Sequence, residues 1–159
     1  MERTELPVAV FDSGLGGISV LRALVQRMPG EDFLYFGDSA NAPYGVRPAA
    51  EVRELTQSVI ARLYARGIKA AVIACNTATA AALPALRETW PDMPIIGVIE
   101  PGSRAACEAS PSGDIAVIAT EATIRGGAYE RAILRRRPGA RVQSRACPLF
   151  VSMTEDGLV

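Results

Sequence analysis

Ala70-Ala71-Val72-Ile73-Ala74-Cys75-Asn76-Thr77 runs five apolar residues straight into a thiol, an amide and a hydroxyl. An apolar run of this length without polar alternation fits a strand buried on both faces, as in a parallel sheet covered by helices. The polar trio falls where that strand ends, and the segment from Thr79 to Leu86 begins a helix. The same rhythm recurs along the chain. Val8-Ala9-Val10-Phe11, Phe33-Leu34-Tyr35-Phe36, Ile95-Ile96-Gly97-Val98, Ile115-Ala116-Val117-Ile118 and Arg141 to Ala146 read as further strands. Between them, Ile18 to Met28 and Pro48 to Arg66 carry apolar residues at helical spacing, as in Val52, Leu55, Val59 and Leu63. Pro48 suits a first helical turn and Gly67 a stop. Strands alternating with helices make βαβ units, so the expected fold class is α/β, with a parallel-sheet three-layer αβα domain. A composition shift at Ile99-Glu100-Pro101-Gly102-Ser103 marks a crossing, dividing the chain into 1–98 and 99–159.

At 159 residues the chain can bury a real core, and its 49% hydrophobic content belongs to an ordered globular protein. Seventeen basic and seventeen acidic residues cancel, which gives no reason to expect nucleic acid or a membrane as the partner. The cluster Arg131, Arg135, Arg136, Arg137, Arg141 and Arg145 reads as a solvated helix end and receives no function. The opening residues do not resemble a secretory signal, and Asn76 and Pro84 break the most apolar stretch. A cytoplasmic protein is expected. Three widely spaced cysteines, Cys75, Cys107 and Cys147, disfavour a disulfide framework or a paired-Cys zinc site. With no histidine, Cys-His pairs, Ser-His pairs and His-ligated metals are excluded within these residues. Proton chemistry here falls to Cys, Asp, Glu, Tyr or Arg.

In open α/β sheets, ligands gather beyond the carboxyl ends of the strands. Asp12 and Ser13, then Gly37, Asp38 and Tyr44, then Cys75, Asn76 and Thr77, then Thr120 all fall at such ends. Asp12-Ser13-Gly14-Leu15-Gly16-Gly17 is a glycine-rich turn whose free backbone N–H groups favour an anion such as a carboxylate. It matches neither common nucleotide loop, because position 19 is Ser and no Gly-Lys-Ser/Thr follows. A lone cysteine is more often inert and buried, but the polar flanks of Cys75 and its strand-end position favour chemistry. A nearby helix N-terminus is expected to lower its pKa toward neutrality. Asn41-Ala42-Pro43-Tyr44-Gly45 reads as a turn that can present backbone N–H and a phenol to a ligand. Cys107 and Cys147 are taken as structural.

Taken together, Asp12 to Gly17, Phe36-Gly37-Asp38 through Pro43-Tyr44-Gly45, Cys75-Asn76-Thr77 and Ile99-Glu100-Pro101-Gly102 resemble the glutamate racemases of the aspartate/glutamate racemase superfamily. Ile118 to Ile124 and Cys147-Pro148-Leu149-Phe150-Val151 extend the resemblance through the second half. The glycine-rich opening and Pro-Tyr-Gly point to the glutamate branch.

The resemblance implies interconversion of L- and D-glutamate without a cofactor, supplying D-glutamate for peptidoglycan. Removing an α-proton from one face and returning one to the other requires two acid/base groups on opposite sides. By resemblance Cys75 faces the α-proton of D-glutamate, Asp12 assists its proton traffic, and Glu155 matches a glutamate near the second half-site. Asp12, Ser13, Tyr44, Gly45, Asn76, Thr77, Thr120 and Thr123 would hold the substrate. The family's second thiol, in a downstream Cys-Thr-His segment, has no counterpart in these residues. The resemblance therefore implies an incomplete, truncated second α/β domain and a polypeptide that does not turn over glutamate alone. Ser152, Met153 and Thr154 stand where the family carries proline and aliphatic residues. An unpaired apolar sheet edge is the expected physical cost, and a homodimer is left open. Two other readings compete. One is an aspartate, hydantoin or maleate-type racemase or isomerase, and the other a non-catalytic fragment that binds an acidic amino acid. A nucleotide-binding flavodoxin-like module stands a distant third.

Overall fold

The computed structural model describes residues 5–155, with side chains described as far as Met153. Four strands, β1 (Val8–Asp12), β2 (Phe33–Gly37), β3 (Ala70–Ile73) and β4 (Ile95–Gly97), form one sheet in the order β2-β1-β3-β4, every pair parallel. Two more, β5 (Asp114–Ala119) and β6 (Arg141–Ala146), pair in parallel as a second sheet. Helices α1 (Ile18–Arg27), α2 (Ala49–Arg66), α3 (Asn76–Thr89), α4 (Ile99–Ala109), α5 (Glu121–Gly126), α6 (Ala128–Arg136) and α7 (Leu149–Glu155) fill the connections. All six strands expected from the sequence are present, and the α/β class with helices on both faces of a parallel sheet holds.

The apolar runs translate directly into two cores. Along β1, Ala9 and Phe11 point to one face with Ala71 and Ile73 of β3, where α2 and α3 cover them with Val52, Val59, Ile60, Leu63, Ala82 and Leu86. Val8 and Val10 point the other way with Val72 and Ala74, against Val20, Leu21 and Leu24 of α1. The period-two alternation of a strand sends neighbours to opposite faces, so a strand covered on both must be apolar at every position. Helix α2 ends where Gly67 takes φ 92°, a conformation that costs other residues more. Pro84 sits inside α3 without ending it.

The stretch from Ile99 to Ser103 is helical and opens α4, which links the last strand of the four-stranded sheet to β5. The second sheet is less covered. Ile115, Ala132 and Ile133 are buried, whereas Ile118 is 61% exposed, and Leu149 and Phe150 at the start of α7 are also exposed. Among the described residues β5 pairs only with β6, so its other edge lies open. The arginines expected to be solvated are exposed or half-buried and mostly engaged. Arg135 and Arg136 pair with Glu100, Arg137 donates to the Ser110 and Pro111 carbonyls, and Arg141 grips Asp114 at 2.5 Å. Among the described residues no helix is long and apolar enough to cross a membrane.

Strand β4 packs so closely on α3 that a Cβ on Gly97 would lie 2.4 Å from Thr79 Cγ2 and 2.9 Å from Leu83 Cδ2. Gly97→Ala should therefore destabilise the fold by about 1–3 kcal/mol, the usual cost of overpacking. Gly30→Ala, with nothing within 4 Å of the new Cβ, should change urea stability little. Equal midpoints for the two variants would show that the β4–α3 contact is looser than described.

Candidate active site

Parallel pairing of β1 with β3, in register from Val8↔Ala70 to Phe11↔Ile73, brings their carboxyl ends out side by side. Ser13 and Cys75, 62 residues apart, therefore meet, with Ser13 Oγ 3.4 Å from Cys75 Sγ. Cys75 is also the N-cap of α3, in extended conformation, and its sulfur accepts the Ala78 N–H at 3.4 Å. The sequence-based expectation of a thiol at a helix N-terminus is met in position but not in consequence. Burial pushes the thiol pKa up, and the nearby charge of Asp12 pushes it the same way. The Ser13 hydroxyl, the strongest opposing influence, and the N–H groups of Ala78 and Ser13 pull it down without prevailing. Cys75 is only 6% exposed, so the ionised form loses more hydration than those donors return.

Asp12 is buried at the end of β1, and its Oδ2 accepts the N–H groups of Gly14 at 3.1 Å and Gly17 at 3.0 Å. This corrects the expectation of a turn with free N–H groups, since two of them are committed to the aspartate. The turn must contain glycine at position 17, where a Cβ would fall 2.6 Å from Asp12 Cβ. Tyr35 steadies the other side by donating to the Gly14 carbonyl at 2.8 Å. Its pKa is pushed up to about 12 by burial and then by the charges of Asp12 and Cys75.

Tyr44 opens a short 3-10 helix, Tyr44–Val46, and is almost wholly buried. Its hydroxyl donates to Asp38 Oδ2 at 2.6 Å, while Asn41 Nδ2 holds both Asp38 oxygens at 3.0 Å. The phenol is thus spent internally rather than offered to a ligand, and burial together with Asp38 drives its pKa far upward. Tyr44 still contributes to the wall of the site, and Gly45 lies so near α5 that a Cβ would come within 2.7 Å of Thr120 Cβ.

Three hydroxyls tie the two sheets' elements together. Thr77 Oγ1 lies 3.0 Å from Thr120 Oγ1 and 3.1 Å from Thr123 Oγ1, and the Thr120 hydroxyl donates to Thr123 Oγ1 at 3.0 Å. Thr120 is the N-cap of α5, accepting the Thr123 N–H. Thr77 and Thr120 border a cleft of about 620 Å³, whereas Thr123 is buried behind them. Asp12, Ser13, Tyr44, Gly45, Cys75 and Asn76 border the same cleft. Cys147 reaches its lining as well, although the sequence pointed only to a structural role, and Cys107 faces the Ile133 carbonyl instead. Glu155 ends α7, and its side chain lies outside the described residues.

Sequence reasoning missed the opposite wall. Ile115 to Ala119 of β5, with Gly102 of α4 and Tyr129 of α6, close the cleft from the far side. An apolar strand and a solitary tyrosine carry no chemical signature, so only the folding of α4 to α6 over the end of the first sheet reveals them. Among the described residues no three His, Cys, Asp or Glu side chains converge as a metal site requires. The cleft sets the Cys75 sulfur and the Asp12 carboxylate among hydroxyl and amide groups, against an apolar wall that also carries Cys147. Such a site can hold a small polar ligand and pass a proton on one side of it.

Residues 12–156 match the family described as Asp/Glu/Hydantoin racemase. The chain is 47% identical over 152 residues to the glutamate racemase of Corynebacterium diphtheriae, covering 96% of this chain and 57% of that protein. It is 51% identical over 151 residues to that of Lactiplantibacillus plantarum, covering 95% and 55%. Among solved structures it is similar to a glutamate racemase isoform from Bacillus anthracis, with a TM-score of 0.94 and 39% identity over 98% of this chain and 58% of the other. The Francisella tularensis glutamate racemase in complex with D-glutamate superposes with a TM-score of 0.92 and 38% identity, over 98% and 58%. The chain thus spans little more than half the length of these relatives.

Opposing influences on the thiol can be separated by alkylation with iodoacetamide at fixed pH. Asp12→Asn removes a charge that raises the Cys75 pKa and should speed alkylation. Ser13→Ala removes a donor that lowers it and should slow alkylation, because only the thiolate reacts. The reverse order of rates would contradict this electrostatic account.

Proposed function

The chain belongs to the Asp/Glu/Hydantoin racemase family, and on that premise we propose that it supplies one half-site of a glutamate racemase. In this reading Cys75 exchanges the α-proton of D-glutamate on one face. The observation that carries it is the buried Cys75 sulfur, held against Ser13 and Ala78 where β3 gives way to α3 and bordering the cleft. The names of the similar proteins, all glutamate racemases, favour glutamate within the wider family.

The α-proton of an amino acid is weakly acidic, and its removal builds negative charge next to the carboxylate. A site accelerates that step only through contacts that strengthen as the charge develops. Hydroxyls of Ser13, Thr77 and Thr120 and the amide of Asn76 are such donors, already fixed by their neighbours. The resting thiol, held protonated by burial, is ready to deliver a proton to a carbanion. To remove one, it must first lose its own, and Asp12 is the nearby carboxylate whose charge it feels. The Ser13 hydroxyl, 3.4 Å from the sulfur, is the thiol's side-chain hydrogen-bond partner. We assign residues 1–98 and 99–159 to two α/β halves that meet across the cleft. The opposite face of the substrate requires a second acid/base, which the family resemblance places in a Cys-Thr-His segment absent from these residues. We therefore propose that this polypeptide by itself exchanges without inverting, and that the complete activity serves D-glutamate supply for peptidoglycan.

Incubation with D-glutamate in heavy water, followed by proton NMR, tests this reading. The α-proton signal should fade without accumulation of L-glutamate, and Cys75→Ala should slow the fading by about 100-fold or more, the low end for a general acid/base. Accumulating L-glutamate would overturn the one-sided assignment. Undiminished exchange in the alanine variant would remove Cys75 from the chemistry, and faster exchange of D-aspartate would move the substrate.

A further inference from the structure

Asn76 and Thr77, the two residues after the thiol, are both gripped from the α5–α6 side of the cleft. Thr77 is held by the hydroxyls of Thr120 and Thr123 at the start of α5. Asn76 is held by Tyr129, in the first turn of α6, whose hydroxyl donates to Asn76 Oδ1 at 2.6 Å. Gly127, with φ 61°, ends α5 and starts α6, so one left-handed residue sets the angle at which the tyrosine approaches. Room for the ring comes from α4. A Cβ on Gly102 would lie 3.1 Å from the Tyr129 hydroxyl and 3.3 Å from its Cε1, tighter than nine in ten such contacts. Burial raises the Tyr129 pKa, so the phenol keeps its proton and can donate.

We propose that Tyr129 is a positioning residue that fixes the orientation of the Asn76 amide, so that its N–H groups rather than its carbonyl face the carboxylate of an acidic amino acid. An asparagine amide has an acceptor end and a donor end related by a half-turn. Because Tyr129 donates to the acceptor end, the donor end is left for the cleft, which both side chains border. Without that bond the amide turns freely, and half of its orientations set a carbonyl oxygen against an anionic ligand. Asn76 is exposed, so water can replace the lost bond in the free protein, and the effect belongs to ligand binding more than to folding. The proposal rests on the substrate reading above and adds a residue to it that the sequence did not single out.

Tyr129→Phe keeps the ring against Gly102 and removes only the hydroxyl. The side-chain amide resonances of Asn76 in a nitrogen-15 correlation spectrum should move in this variant. D-glutamate affinity by calorimetry should fall about fivefold, in the range of a single hydrogen bond, with the thermal midpoint nearly unchanged. In an Asn76→Ala background the same substitution should have no further effect on affinity. Unmoved amide resonances, or an affinity loss that persists without Asn76, would overturn the proposal. A parent protein that does not bind D-glutamate would sink the substrate reading, while the resonance shift would still decide whether Tyr129 orients the amide.

Discussion

Everything at the cleft depends on two neighbouring parallel strands ending together. Because β1 and β3 pair in register, the turn after Asp12 and the helix cap at Cys75 are forced into contact. An antiparallel arrangement would send one of those ends to the opposite side of the sheet. The pairing is secured by apolar residues on both faces of each strand, so the chemical residues inherit their positions from the core rather than from one another.

Burial at that junction has opposite effects on the groups gathered there. It stiffens them, since Asp12 holds two backbone N–H groups and Tyr44 is locked to Asp38. It also withholds ionisation from the sulfur, which sits among donors yet keeps its proton. A thiol that resists ionisation keeps its proton and stays a poor nucleophile toward passing electrophiles. The clasp of Thr77, Thr120 and Thr123 joins the first sheet's helix to α5, so the two walls of the cleft are linked by hydroxyls.

Strands β1 and β3 were legible because burial on both faces leaves an uninterrupted apolar run, and the ends of those runs pointed to Asp12, Ser13 and Cys75. What remained hidden was set by tertiary contact. The sign of the Cys75 shift depends on how dry the site is, which no local sequence feature records. Tyr44 looked available because its turn is polar, yet Asp38 six residues earlier captures its hydroxyl. The glycine-rich turn looked like an anion cradle, and an anion does occupy part of it, but that anion is the protein's own aspartate. Tyr129 and the β5 wall carry no chemical pattern and enter only because α4 to α6 fold across the end of the first sheet.

The most direct test is a crystal structure with D-glutamate bound. The account predicts the ligand in the cleft beside β3, its α-carbon within roughly 4 Å of the Cys75 sulfur, near the separation at which proton transfer becomes feasible. A ligand bound elsewhere, or one whose side-chain carboxylate occupies that position, would contradict it.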